Sequence, residues 1–316
     1  MLLLLLWSFA AKIRLQSFTL CTLVYSLPSV ANLSHYLLAF TEKNVKGLGE
    51  AMILQCEYPI SDDQVTQYQR NGHILLDDVL PATYIPPYHD AIVQTVSQRN
   101  KETRALKDRD TYGRAFLQTT NLWEYNATVK EYVMAKRFAG IAARLMGVER
   151  VRLYHDQALF KEAGGGITPW HQDQHYWPLA TNKTITMWMT LADIHADMGT
   201  LRFASGSHVE GYLGDIPISD ESEAQLRQFV ELKGFTLAQA DAMSAGAATF
   251  HSGWTLHSAP PNHSERMRPA MTVIYYADGA RLSELDNKNR VNDRDHWLPG
   301  TEPGDLAASP LNPVLG

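Results

Sequence analysis

The chain is poor in cysteine and has no basic cluster, and each shortage excludes a class of protein. Its 316 residues include two cysteines, Cys21 and Cys56, and no Cys-x-x-Cys or Cys/His zinc pattern. Because Cys21 lies in an apolar N-terminal stretch, the sequence argues against a secreted fold stapled by disulfides. The 28 basic and 34 acidic residues give a net charge of −6 without a basic block, so we expect no nucleic-acid partner.

The chain also lacks internal repeats and low-complexity segments, and its composition is that of an ordinary globular protein. Hydrophobic residues make up 45% and charged residues 20% of the sequence, which is enough apolar material for a full core. The length allows one large domain or two small ones. We predict a single domain over residues 56–316, preceded by an apolar extension over residues 1–55.

The apolar extension has three interpretations of equal weight. Lys12 and Arg14 are followed by residues 15–40, which contain no Asp, Glu, Lys or Arg. This order is typical of a signal peptide with a small-residue site near residues 29–31, or of a membrane anchor. Polar residues interrupt the run, and Met52 stands just before the first domain-like sequence, so the third interpretation is an artefact of the start site. We expect the domain in the cytoplasm, with membrane contact only through an anchor.

Hydrophobic periodicity predicts several helices in the first half of the domain. A helix begins at Ser61, which can cap it, and two longer helices are expected over residues 85–104 and 129–145. A strand is expected at residues 73–79, between the first two helices. These helices are interpreted as packing elements against a sheet, without a catalytic role.

The second half of the domain is predicted to consist mainly of short strands. Short apolar runs alternate with turns rich in glycine, which indicates a β-sandwich or barrel rather than a doubly wound sheet. The predicted strands cover residues 151–160, 170–176, 184–191, 199–204, 247–250, 254–258 and 268–276. Residues 219–243 are predicted as a helical insertion, and the tail from Asp286 as a polar segment that wraps the surface.

Four His-x-acid triplets raise the question of a metal site. They are His171-Gln-Asp173, His195-Ala-Asp197, His208-Val-Glu210 and His263-Ser-Glu265. Chance alone predicts about 1.3 such triplets in a chain of this composition, so context must decide among them. The last three lie in turn-like sequence and are expected to be exposed polar pairs. The first is flanked by Trp170, Tyr176 and Trp177, and a carboxylate in such an aromatic setting is costly unless it is paired or binds a metal.

Two imidazoles and one carboxylate on one face form the facial triad that holds Fe(II) and leaves positions open for a cosubstrate and O2. Residues i and i+2 of a strand project to the same face, so His171 and Asp173 would be delivered together. The third ligand is expected from a later strand, where His251 and His257 are the candidates.

A predicted hairpin favours His257 over His251 as the third ligand. A turn at residues 262–263 would place His257 opposite Arg268. A dicarboxylate that chelates the metal at one end needs a cation at the other, and arginine binds carboxylates in bidentate fashion. We therefore prefer His257, and His251 remains the alternative.

Four segments, in their order along residues 61–280, resemble the phytanoyl-CoA dioxygenase family of Fe(II)/2-oxoglutarate oxygenases. They are Tyr68-Gln-Arg-Asn-Gly-His-Ile-Leu-Leu-Asp-Asp-Val-Leu, Trp170-His-Gln-Asp-Gln-His-Tyr-Trp-Pro, Met198-Gly-Thr-Leu-Arg-Phe-Ala-Ser-Gly-Ser-His and His257-Ser-Ala-Pro-Pro-Asn-His-Ser-Glu-Arg-Met-Arg268. The resemblance implies a mainly β fold with flanking helices and a double-stranded β-helix core, the jelly roll of cupin-like proteins. Two departures are the Gly246-Ala247 pair, where the family usually has Gly-Asp, and the first sixty residues, which have no counterpart.

The resemblance also implies roles for individual residues. The iron ligands of the family fall on His171, Asp173 and His257, and its 2-oxoglutarate arginine falls on Arg268. Gln172 and Trp188 match the glutamine and tryptophan that the family uses around the cosubstrate, although strand alternation would turn Gln172 away from the iron face.

The implied activity is that of a dioxygenase using Fe(II), 2-oxoglutarate and O2. Such an enzyme hydroxylates an unactivated C–H bond of a small molecule, here a hydrophobic metabolite or an acyl-CoA, and releases succinate. No basic cluster marks a site for the phosphates of coenzyme A, which favours the small metabolite. Desaturation, epimerisation and ring closure remain alternatives on the same cofactors, and a non-catalytic binding jelly roll is a third class. In a related halogenase a small residue replaces the metal-binding acid and chloride binds the metal in its place. The presence of Asp173 argues against this class.

Overall fold

Two antiparallel β-sheets organise the computed structural model, which describes residues 52–316. In chain order the strands are β1 (His73–Leu76), β2 (Leu117–Thr120), β3 (Val151–Lys161), β4 (Thr168–His171), β5 (Thr184–Thr190), β6 (Ile194–His195), β7 (Arg202–Ala204), β8 (Leu237–Gln239), β9 (Ala242–Met243), β10 (Ala248–Ser252), β11 (His257–Ala259), β12 (Arg268–Ala277) and β13 (Val314–Leu315). The larger sheet has the order β1-β10-β5-β12-β3-β13, with β2 also paired to β3. The smaller sheet has the order β4-β11-β7-β8, and β6 and β9 form a short ribbon.

Apolar side chains of the two sheets pack against each other. One core cluster joins Trp188 of β5 and Ala270 of β12, in the larger sheet, to Phe203 of β7 and Ala259 of β11, in the smaller sheet. Two antiparallel sheets with a shared core form the double-stranded β-helix that the sequence predicted, so the predicted fold class is confirmed.

The helices are α1 (Asp62–Asn71), α2 (Ile85–Arg99), α3 (Thr111–Ala115), α4 (Ala127–Val133), α5 (Lys136–Met146), α6 (Asp220–Lys233) and α7 (Lys288–Trp297). The predicted start at Ser61 is confirmed, because its hydroxyl accepts from the Gln64 amide while the Gln64 side chain accepts from the Ser61 amide. The single helix predicted over residues 129–145 is wrong. Ala135 is extended and fully buried and separates α4 from α5, a break for which neither Met134 nor Ala135 gives a local signal.

The predicted hairpin between His257 and Arg268 is also wrong. His257 lies in β11 of the smaller sheet, opposite His171 of β4 and Phe203 of β7. Arg268 begins β12 of the larger sheet and lies opposite Lys161 of β3. Counting residues on both sides of a turn assumes that consecutive strands pair, whereas here the chain crosses from one sheet to the other between them.

Two C-terminal segments differ from their predicted descriptions. The predicted insertion over residues 219–243 contains the helix α6, but it also supplies β8, the edge strand of the smaller sheet. The tail from Asp286 does more than wrap the surface. It forms α7 and β13, and Leu298, Ala307 and Asn312 within it are fully buried.

The predicted apolar extension over residues 1–55 lies outside the described residues except for its last four positions. Within the described part, no helix is both long and apolar enough to cross a bilayer. Residues Glu57–Gly316 form one compact unit, which contains both sheets.

Candidate metal and cosubstrate site

Strand register places two of the predicted ligands side by side. His171 at the end of β4 lies directly opposite His257 at the start of β11, and their ring centroids are 4.1 Å apart. The Nδ1 atom of His171 is 2.8 Å from the carbonyl of Pro169, and that of His257 is 2.9 Å from the carbonyl of Thr255. A carbonyl only accepts, so each Nδ1 carries the proton and each Nε2 presents its lone pair. This is the tautomer that metal-binding histidines adopt.

The carboxylate of Asp173 completes the predicted group. Gln172 is extended and Asp173 opens a 3-10 turn directly after β4, so the strand end rather than strict strand alternation delivers the carboxylate. Its Oδ1 atom lies 3.5 Å from Nε2 of His171 and 3.7 Å from Nε2 of His257. One ligand atom from each of His171, Asp173 and His257 lies within 4.8 Å of the other two. Two imidazoles and a carboxylate that close together suit a divalent first-row metal.

His251, the alternative third ligand, stands on the other side of the same carboxylate. His251 of β10 is paired with Thr186 of β5 in the larger sheet. Its Nε2 atom is 3.2 Å from Oδ2 of Asp173, and the Thr186 hydroxyl donates to the same oxygen at 2.8 Å. Oδ1 therefore faces the histidine pair of the smaller sheet, while Oδ2 is held by the larger sheet. Sequence reasoning had no signal for this second contact, because it depends on how the sheets face each other.

Electrostatics keep Asp173 ionised and His257 neutral. Burial opposes ionisation of Asp173, but the surrounding histidines, including Nε2 of His251 in hydrogen-bond contact with Oδ2, outweigh it and hold the pKa of Asp173 well below its usual range. Burial, with the nearby His171 and His251, lowers the pKa of His257 well below its usual value. A carboxylate anion and a neutral imidazole are the forms that bind a metal ion.

Arg268 is a buried cation without an anionic partner among the described residues. It is 1% exposed, and its guanidinium lies over the ring of Trp188 with 4.9 Å from Cζ to the ring centroid. One Nη donates to the carbonyl of Gly199 at 2.5 Å, and the buried Nε has no hydrogen-bond partner. Burial lowers the pKa of Arg268 to about 9. A buried charge is normally paired, so this guanidinium is suited to an anion that enters from outside the chain.

The remaining predicted residues are placed as follows. Trp188 lines the same cavity as Arg268. The side-chain amide of Gln172 donates to the carbonyls of Gly211 and Trp254, both at 2.8 Å, and Gln172 is not among the side chains that line the cavity. Five of the six predicted site residues therefore line one cavity, whereas the sixth, Gln172, donates hydrogen bonds to the backbone of two loops.

A cavity of about 480 Å³ connects these groups. Its lining includes the three predicted ligands together with Arg268 and Trp188. This volume is in the range of small-molecule sites. A further part of the wall comes from α7, which the sequence had assigned to the surface, and the α7 residues that line the cavity are Asn289, Asn292, Asp293, His296 and Trp297.

A β-helix that gathers two histidines and an aspartate beside a buried arginine defines the class of non-haem iron oxygenases. Residues 68–270 match the phytanoyl-CoA dioxygenase (PhyH) family, and the chain belongs to this family. The predicted family is thereby confirmed, and with it the enzyme class of 2-oxoglutarate-dependent dioxygenases and the family's use of iron and 2-oxoglutarate.

Two curated proteins are similar to this chain. One is a probable alpha-ketoglutarate-dependent hypophosphite dioxygenase of Stutzerimonas stutzeri, 25% identical over 160 residues, which are 49% of this chain and 55% of the relative. The chain thus spans about half the length of that relative. The other is a methylphosphonate hydroxylase of Gimesia maris, 23% identical over 228 residues, which are 69% of this chain and 81% of the relative.

Solved structures share the fold. The non-heme alpha ketoglutarate dependent carbocyclase SnoK from nogalamycin biosynthesis superposes with a TM-score of 0.66 at 22% identity, over 81% of this chain and 97% of that chain. The epimerase SnoN, in complex with Fe3+, alpha ketoglutarate and nogalamycin RO, gives a TM-score of 0.65 at 22% identity, over 81% of this chain and 98% of that chain. Both support the fold class.

Proposed function

We propose that the chain is an Fe(II)/2-oxoglutarate-dependent oxygenase that oxidises a C–H bond of a small molecule, with His171, Asp173 and His257 as iron ligands. The observation that carries the proposal is the single carboxylate oxygen, Oδ1 of Asp173, that faces the Nε2 atoms of both histidines. Both imidazoles are fixed in the metal-binding tautomer by backbone carbonyls. Fe(II) bound there would supply the O2 chemistry that no side chain of the chain can perform.

In this proposal Arg268 binds the far carboxylate of 2-oxoglutarate. The guanidinium is already oriented by Gly199 and Trp188, so little side-chain freedom is lost when the anion binds. His251 and Thr186 hold the second oxygen of Asp173 and orient the first one toward the histidine pair. The walls of the cavity place the substrate and limit the access of water.

The test is anaerobic addition of Fe(II) and 2-oxoglutarate to the full chain. We expect a visible charge-transfer band that requires both components and is lost in His171→Ala. Retention of the band in that variant, or its absence from the wild type, would contradict the proposal. Admission of O2 should then release succinate, and mass analysis of the product separates hydroxylation, which adds one oxygen atom, from desaturation, epimerisation and ring closure, which add none.

A further inference from the structure

One wall of the cavity comes from a part of the chain outside the family match. The match ends at residue 270, whereas α7 covers Lys288–Trp297 and contributes five side chains to the lining. The site for iron and cosubstrate, by contrast, lies entirely within the matched residues. Helix α7 thus adds side chains to a wall that matched residues such as Tyr112 and Trp177 also line.

Asp293 is the charged residue that α7 places in this wall. Its Oδ2 atom accepts a hydrogen bond from the Tyr154 hydroxyl at 2.8 Å, and no lysine or arginine among the described residues forms an ion pair with it. Burial raises the pKa of Asp293 to about 7. A cation bound beside this carboxyl group would favour its ionised form.

The charges that line the cavity do not cancel. Apart from histidines, its described lining has three charged side chains: Asp173, Arg268 and Asp293. Asp173 and Arg268 offset each other, and a metal dication offsets a dicarboxylate cosubstrate. When Asp293 is ionised, the form that a bound cation favours, one negative charge remains without a counter-charge. A cavity with one net negative charge complements a monocation and repels an anion.

Aromatic rings surround this carboxyl group. Tyr154, which binds Asp293, packs against Trp177 with ring centroids 5.5 Å apart. Trp297, one turn after Asp293 on α7, packs on His155 at 4.7 Å, and both Trp177 and Trp297 line the cavity. The faces of such rings attract cations, and a carboxylate among aromatic rings is a recurrent arrangement for binding an ammonium group.

We propose, on the basis of the function proposed above, that the substrate carries a protonated amine, and that Asp293 binds this ammonium group while the carbon to be oxidised lies beside His171, Asp173 and His257. The two curated relatives are named for hypophosphite and methylphosphonate, which are anions. In this cavity Arg268 is the one arginine of the described lining and no lysine is present, so no second cation remains for an anionic substrate once the cosubstrate is bound.

The experiment compares two probes of the same shape that differ in charge, cyclohexylammonium chloride and cyclohexanol. The full chain is titrated with each while its tryptophan fluorescence, to which Trp177 and Trp297 of the cavity wall contribute, is recorded, first without metal and then anaerobically with Fe(II) and 2-oxoglutarate. We expect the ammonium to bind at least about tenfold more tightly than the alcohol in both states. If the charge-transfer band does not appear but the ammonium preference does, only the proposed function is contradicted. The metal-free titration tests the binding of the ammonium by Asp293 in either case.

Matched variants assign the preference to one carboxylate. Asp293→Asn keeps an acceptor for the Tyr154 hydroxyl and removes the charge, so it should abolish the preference for the ammonium. Asp295→Asn, on the exposed side of the same helix, and Tyr154→Phe, which leaves Asp293 in place, should retain it. Equal binding of the two probes by the wild type, or a preference that survives in Asp293→Asn, would overturn the proposal.

Discussion

The Nε2 atom of His251 lies 3.2 Å from Oδ2 of Asp173, on the opposite side of the carboxylate from the atom that faces His171 and His257. Each sheet contributes one cross-strand pair to this carboxylate, His171 with His257 from the smaller sheet and Thr186 with His251 from the larger. The two oxygens of one side chain thus have separate tasks. One is available to a metal, and the other fixes the orientation of the group.

This division of tasks predicts different outcomes for two histidine variants. We expect His257→Ala to abolish Fe(II) binding, because it removes a ligand, and His251→Ala to weaken it by about 10- to 100-fold while the charge-transfer band persists at saturating iron. His263→Ala, in an exposed turn, serves as the control and should behave as the wild type. The measurement is an anaerobic Fe(II) titration at fixed 2-oxoglutarate. A band that survives in His257→Ala but not in His251→Ala would mean that His251 is the iron ligand and His257 the positioning residue.

Arg268→Met should weaken 2-oxoglutarate binding without weakening Fe(II) binding. Loss of a charge-assisted interaction of about 1.5–3 kcal/mol corresponds to an increase in the dissociation constant of about 10- to 150-fold. Arg266→Met is the matched control, because Arg266 is exposed and two residues away. A 2-oxoglutarate titration of the band at saturating Fe(II) checks this expectation, and equal dissociation constants for the two variants would refute it.

Gly246→Ala should destabilise the fold by about 3 kcal/mol or more. Gly246 has φ of +86°, and a Cβ added to it would lie 1.8 Å from the carbonyl oxygen of Leu80. Its amide and carbonyl are both used, in hydrogen bonds with Thr190 and Leu80, so the backbone cannot move aside freely. Gly140→Ala is the control: Gly140 is an exposed position in α5 with no neighbour within 4 Å, and alanine there should stabilise the protein by about 0.5–1 kcal/mol. The measurement is the free energy of unfolding of both variants in urea, and a Gly246→Ala variant as stable as the wild type would contradict the prediction.

Asp156→Asn should flatten the dependence of stability on pH. Burial raises the pKa of Asp156 to about 7, although the amides of Leu122 and Trp123 donate to its carboxyl group and oppose the shift. The folded state therefore holds this proton more tightly than the unfolded state, and stability is lost as pH rises from about 4 to about 7, by up to about 4 kcal/mol. Asparagine resembles the neutral acid and has no such loss.

The measurement for Asp156 is the difference in unfolding free energy between variant and wild type at several pH values. We expect that difference to shift in favour of the variant as pH rises through this window. Buried His155 and His73, whose pKa values are lowered to about 4, titrate in both proteins and cancel in the difference. A constant difference for Asp156→Asn would contradict the assignment.

Local sequence was enough to predict the fold class and to select His171 and Asp173, whose side chains the structure places close together. His171 and Asp173 are adjacent in the chain and stand among aromatic residues, so a short window contains their signal. His257 and Arg268 were selected by an incorrect hairpin, yet both line the cavity, because the strands that carry them lie in sheets that face each other. The contact between Asp173 and His251 joins residues 78 positions apart and has no trace in either local sequence.

The C-terminal tail was misread for a different reason. Helix α7 is polar except for Val291 and Trp297 and buries no residue completely, so its sequence has the character of a surface segment. Four of the five side chains with which it lines the cavity are polar. An element that borders a polar cavity has no apolar stripe, and periodicity cannot distinguish that situation from exposure to water.

The position of α7 also has a consequence for how proteins of this kind diverge. The residues proposed to bind iron and cosubstrate lie between His171 and Arg268, whereas the wall that carries Asp293 lies some twenty residues later, beyond the end of the family match. The proposed metal centre and the proposed Asp293 contact therefore lie on separate stretches of the chain. We expect exchange of the terminal segment between relatives to alter the wall that carries Asp293 and to leave the proposed iron ligands in place.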